Sequence, residues 1–80
     1  MKSFKLGIIK EYKNGSGTII DEDGKSVDFF DFDIYGDKKL IKEKEKVIFV
    51  REGKKDEDDI YVARYIRTLA EYQERNINNS

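Results

Sequence analysis

Neither histidine nor cysteine occurs among the 80 residues. That pair of absences excludes the usual zinc sites, Ser-His-Asp and Cys-His nucleophile systems, imidazole acid–base catalysis and disulfides. An enzyme built on this chain would have to run on carboxylates, lysines and hydroxyls alone. Carboxylates are plentiful, but they stand in hydrophilic runs such as Asp21-Glu22-Asp23 and Asp56-Glu57-Asp58-Asp59. Such runs are expected to be solvated, without the burial that tunes a pKa. The chain therefore reads as a non-enzyme that needs no cofactor and no metal. Long apolar runs are also missing: nothing approaches the roughly 20 residues that span a bilayer. Met1-Lys2-Ser3-Phe4-Lys5 leads into no apolar signal region, so a cytoplasmic protein without membrane contact is expected.

What remains is a small, charged, mixed sequence. A single domain of this length buries only about 60 to 65% of the surface its unfolded chain exposes. With 38% hydrophobic and 12% aromatic residues there is still material for one core, despite 41% charged residues. The net charge of −1 hides an uneven layout. Residues 1–14 hold four lysines and one glutamate, residues 21–33 six acids and one lysine, residues 38–55 eight bases and three acids, and residues 56–59 only acids. A basic face for phosphates is one reading of this alternation. Solvated blocks that cancel their neighbours are the simpler one, because no basic block is interleaved with aromatics.

Strand signals dominate from Leu6 to Ile34. Asn14-Gly15 and Asp23-Gly24 supply the positive φ of tight hairpin turns, and β-branched or aromatic residues flank both. Phe4, Leu6 and Ile8 share one side of the first strand, and Ile9 breaks the alternation, which predicts a bulge or tight coil near Gly7. Ile19 is the expected inward residue of the second strand. Asp21-x-Asp23-Gly24 lacks the full spacing of a calcium loop and reads as a hairpin turn. Tyr35 to Leu40 reads as a loop, Val47-Ile48-Phe49-Val50 as a fourth strand, Glu52-Gly53-Lys54-Lys55 as a turn, and Ile60 to Arg67 as a fifth strand. Thr68 with Glu71 forms a capping box for a short helix, and Asn76-Ile77-Asn78-Asn79-Ser80 reads as a frayed end.

Three segments, Gly7-Ile8-Ile9-Lys10-Glu11-Tyr12, Asn14-Gly15-Ser16-Gly17-Thr18-Ile19 and Val27-Asp28-Phe29-Phe30-Asp31-Phe32, follow one another at short intervals. After them come Leu40, Glu45-Lys46-Val47-Ile48-Phe49, Gly53 and Ala63-Arg64-Tyr65-Ile66-Arg67-Thr68-Leu69. In order and spacing, from about residue 4 to residue 69, this resembles the cold-shock domain family. That family's segments read roughly G-x-V-K-W-F-N, K-G-F-G-F-I, D-V-F-V-H-F, E-G-Q-x-V-x-F and A-x-N-V-x-x-L. The resemblance implies an all-β fold: a five-stranded antiparallel OB-fold barrel over residues 1–69, with a short helical tail over residues 70–80. It also implies binding of single-stranded RNA or DNA without base-specific chemistry, as an RNA chaperone or regulator.

Carried over residue by residue, the family's lysine and phenylalanine of the first segment fall on Lys10 and Tyr12, and its stacking rings of the third on Phe29 and Phe32. Glu11 stands where the family has tryptophan, Asn14 where it has lysine, Ser16 and Thr18 where it has two phenylalanines, and Asp31 where it has histidine. Three lost rings at about 1–3 kcal/mol per stacked base imply weaker or altered affinity. Strand three admits two registers: one turns Phe29 outward and Asp28 inward, and the other buries Val27 and Phe29 and presents Phe30. The candidate nucleic-acid contacts are thus Lys10, Tyr12, Lys13, Lys25, Phe29, Phe30 and Phe32, with Lys5 as a further neighbour. The competing class is a protein–protein interaction module presenting Glu11, Ser16, Thr18, Phe29 and Asp31. A monomer is the default, with a dimer as the alternative.

Overall fold

The computed structural model describes residues 4–53 and 61–78, with side chains to residue 74. Five strands, β1 (Phe4–Lys13), β2 (Ser16–Asp21), β3 (Ser26–Phe30), β4 (Lys46–Gly53) and β5 (Tyr61–Thr68), precede one helix, α1 (Leu69–Asn78). Short 3-10 turns at Asp31–Asp33 and Lys38–Leu40 break the segment between β3 and β4. The strands close into a barrel of order β1-β2-β3-β5-β4, compatible with an OB-fold. The turn expected at residues 52–55 lies partly outside the described residues, and the acidic run 56–59 and Ile60 lie wholly outside them.

Both hairpins form where the turn residues demand. Asn14 and Gly15 take φ values of 56° and 83°, the pair of positive angles that joins β1 to β2 without splaying them. At the second hairpin Gly24 takes φ 81°, and the Asp21 carboxylate accepts the N–H groups of Asp23 and Lys25, each at 2.9 Å. The expected bulge in β1 is present. It falls at Lys10, which is left over between the Ile9↔Ile19 and Glu11↔Thr18 pairs. This bend lets β1 pair with β4 over Phe4 to Ile8 and with β2 from Gly7 onward, and so closes the barrel.

One expectation is corrected: the barrel is not purely antiparallel. β5 runs parallel to β3 through Val27↔Tyr61 and Asp28↔Val62, with a further parallel bridge at Ile34↔Ile66. Because β4 intervenes in sequence, a strand antiparallel to β4 arrives parallel to β3 when it closes the gap.

The core is lined by Ile9, Ile19, Val27, Phe29, Ile41, Val47, Phe49, Ala63 and Ile66. Ile19 is inward, as expected. Phe4, Leu6 and Ile8 do share one side of β1, and that side faces outward. Gly7, between them, is buried where the barrel wall leaves no room for a side chain. A Cβ built there would stand 2.5 Å from Ile19 Cγ2 and 2.9 Å from both Ile20 O and Phe49 Cε1. Gly7→Ala is therefore expected to cost about 1–3 kcal/mol by overpacking, read as a lower urea midpoint with an unchanged m-value.

The capping box closes as expected. Thr68 Oγ1 accepts from the N–H of Glu71 at 3.0 Å, and Glu71 Oε1 accepts from the N–H of Thr68 at 3.1 Å. α1 follows β5 directly, packs against β4 and β5, and runs to Asn78, beyond the point where fraying is expected. Asn79 and Ser80 lie outside the described residues. Among the described residues no helix is long and apolar enough to cross a membrane.

Candidate functional site

Burial decides the register of β3. Phe29 is 1% exposed and lies in the core, whereas Phe30 is 47% exposed and Phe32 is 73% exposed. Pairing of Thr18 with Asp28 and Ser16 with Phe30 puts Asp28 outside, where its charge stays hydrated. The register that would turn Phe29 outward is thereby corrected, and Phe30 is the ring that β3 presents to solvent. Tyr12 is half-buried and tilted against Phe29, with centroids 5.4 Å apart, so it also belongs to the wall of the core rather than to an open platform.

Beyond β3 the chain turns sharply and brings the two exposed rings together. Phe30 and Phe32 lie 5.4 Å apart between centroids at an interplanar angle of 14°, a stacked pair open to solvent. Asp33 builds the turn that holds them. Its Oδ2 accepts from the Phe30 N–H at 3.0 Å, and its Oδ1 accepts from Arg64 Nη1 at 2.7 Å. Arg64 also donates to Glu52 at 3.3 Å. The Asp31 N–H is anchored on Gly15 O at 2.9 Å, which ties the same turn to the first hairpin.

Of the candidate cations, Lys13 shares a groove with Phe30, together with Glu11, Ser16, Thr18 and Asp28. Lys10 is exposed at the bulge of β1. Lys38, which the sequence did not single out, lies 3.9 Å from Asp31 beside the turn. Lys25 is elsewhere. It precedes β3, about 16 Å along the strand from Phe30, and its ammonium sits 5.6 Å from the Tyr61 ring centroid. Lys5 is also remote, held by Asp23 at 3.0 Å.

At that far end the acidic run contains a buried charge, contrary to the expectation of full solvation. The Asp21 side chain is wholly enclosed and receives Arg51 Nη1 at 2.5 Å, and Arg51 reaches Asp23 at 3.1 Å. Burial alone would raise the Asp21 carboxyl. Hydrogen bonds from the Lys25 N–H, from Arg51 and from the Asp23 N–H outweigh it and hold the group below its ordinary value of 3.8. Asp23 is held below the same value by its hydrogen bond and charge contact with Lys5, with Arg51 adding to them. A carboxylate so fully bonded is a structural anion, not a poised acid or base.

Depressed folded-state values make this cluster stabilising above about pH 4, with the contribution lost as pH falls through those lowered values. Asp21→Asn is expected to cost about 1–3 kcal/mol at neutral pH, because it strips Arg51 of a buried partner. It should also flatten the acid limb of a stability-against-pH curve measured by urea unfolding.

Residues that sequence reasoning did not place form a second set of exposed rings. Tyr35 and Tyr65 flank a groove with Phe32, Ile34 and Arg64. Tyr65 has φ 55° within β5, where Tyr65 and Ile66 together oppose Phe49 between the Ile48↔Arg67 and Val50↔Arg64 pairs. A bulky residue held in the left-handed region costs about 1–3 kcal/mol. The bulge buries Ile66 and turns Tyr65 out to solvent.

A separate groove has Leu6, Ile8, Ile20 and Leu69 as its apolar lining, with Asp21, Glu22 and Lys46 also bordering it. Among the described residues no group of three or more acidic, histidine or cysteine side chains is placed to hold a metal ion. No protein-family model matches the sequence, and no curated protein matches it significantly.

Proposed function

We propose that this barrel is a small cytoplasmic protein of the cold-shock type that binds single-stranded RNA or DNA without acting as an enzyme. Its stacking platform is Phe30 and Phe32. The observation behind this reading is the exposed, nearly parallel Phe30–Phe32 pair, held in place by Asp33. Exposed aromatic faces are expensive to leave in water and accept any base, which gives sequence-tolerant binding. Lys13 and Lys38 on the flanking turns supply phosphate contacts, with Lys10 at the bulge as a third. Glu11, Asp28 and Asp31 stand on or beside the same face and oppose a polyanion, so affinity is modest.

Two to three neutralised phosphates correspond to a slope of about −1.4 to −2.1 in log affinity against log salt for a single strand. Fluorescence anisotropy of labelled oligo-dT and oligo-U, titrated at several salt concentrations, measures this slope. A slope near zero, or binding indifferent to Phe30→Ala, would overturn the proposal.

The alternative of a protein–protein interaction module has its own supporting observation. Phe4, Leu6 and Ile8 expose an apolar stripe on β1, and the apolar groove reaching Ile20 and Leu69 adjoins it. A partner bound there would leave oligonucleotide binding at Phe30 untouched.

A further inference from the structure

The strained Tyr65 and its neighbours form a second unit that the Phe30–Phe32 pair does not use. Tyr65 and Tyr35 are both largely exposed and line one groove with Phe32, whose ring is stacked on Phe30. Beside them Arg67 is surrounded by rings, with its guanidinium 5.6 Å from the Tyr35 centroid, 5.9 Å from Phe4 and 5.1 Å from Tyr72. Its neighbour Arg64 is neutralised by Asp33 and Glu52, but Arg67 pairs with no carboxylate among the described residues. A guanidinium set among aromatic faces, beside the outward-turned Tyr35, is the chemistry that receives a base and its phosphate together. The left-handed backbone of Tyr65 has the same sense, since it spends stability on turning a ring toward solvent.

Resting on the reading above, we infer that the bound strand continues from Phe30 and Phe32 across the Asp31–Asp33 turn. In the groove a further base stacks on Tyr65 and Tyr35, with its phosphate on Arg67. Phe32 joins the two subsites. The occupant is thus a longer single strand, not a separate ligand.

The test compares oligo-dT of about four and about eight nucleotides, within the range of strand lengths that one barrel accommodates. Tyr65→Asn removes the ring at a position whose left-handed backbone asparagine tolerates. It is expected to weaken the longer strand about 5- to 150-fold, the worth of one stacked base, and to leave the shorter one unchanged. Tyr65→Phe should bind both like the parent protein. Tyr35→Ala should repeat the Tyr65→Asn pattern, and Arg67→Gln should reduce the salt slope for the longer strand by about 0.7.

Intrinsic emission gives a second readout. The chain has five tyrosines and no tryptophan, and the first subsite contains none of them. The longer strand should therefore quench tyrosine emission more than the shorter one, and Tyr65→Asn should remove the difference. Equal binding of both lengths by the parent protein, Tyr65→Asn and Tyr35→Ala, with Phe30→Ala still impaired, would overturn the second subsite and leave the first standing. Failure of the parent protein to bind either length would overturn both.

Discussion

Phe29→Ala is expected to cost about 3–5 kcal/mol, the usual range for emptying a buried phenylalanine site in a core. A chain of this size has a total stability of only about 4–12 kcal/mol, so the variant should be largely destabilised and in the worst case unfolded at room temperature. The ring is 1% exposed and packed with Tyr12 at 5.4 Å. Gly17 opposite it has room for no side chain, since a Cβ there would stand 2.6 Å from Phe29 Cζ. The space around Phe29 is therefore filled to the backbone, and little relaxation is available to close the hole. Urea unfolding followed by circular dichroism measures the effect. A loss under about 1 kcal/mol would show that Phe29 faces solvent and that β3 has the other register.

One residue along, the expected outcome reverses. Phe30→Ala combined with Phe32→Ala should remove about 2–6 kcal/mol of oligonucleotide binding, or at least about 30-fold in affinity, from two stacked bases. Stability should fall by no more than about 1.5 kcal/mol, the worth of the aromatic pair itself. The backbone of the turn is held independently of the rings. Asp33 accepts from the Phe30 N–H and from Arg64, and neither contact uses a ring atom. Anisotropy titration at low salt, with unfolding midpoints for the same variants, separates the two effects. Unchanged binding by a folded double variant would contradict the platform.

The adjacency of Phe29 and Phe30 explains why the site was only half legible in the sequence. Period-two alternation says that the two rings point opposite ways, but the choice between them rests on where Asp28 goes, which is a property of the closed barrel. The local signals were sufficient where the physics is local: Asn14-Gly15, Asp23-Gly24 and the Thr68–Glu71 box each encode their own backbone geometry. They were silent where partners lie far apart along the chain. Asp21 is buried because Arg51, 30 positions away, meets it, and Asp33 because Arg64, 31 positions away, does. Within their own runs both acids look like solvated surface. The parallel contact of β3 with β5 is equally non-local. Tyr65 left no signal at all: a tyrosine among β-formers reads as an ordinary strand residue, and only the two-against-one pairing with β4 turns it outward.

Amide chemical-shift mapping of isotope-labelled protein titrated with oligo-dT would locate the interface most directly. Binding through the aromatic platform predicts the largest shifts at Lys13, Ser16, Phe30, Phe32 and Lys38, with Asp21, Asp23 and Lys25 unmoved. Shifts confined to Phe4, Leu6, Ile8 and Leu69, or none at the highest oligonucleotide concentration, would contradict it and move attention to the apolar stripe of β1.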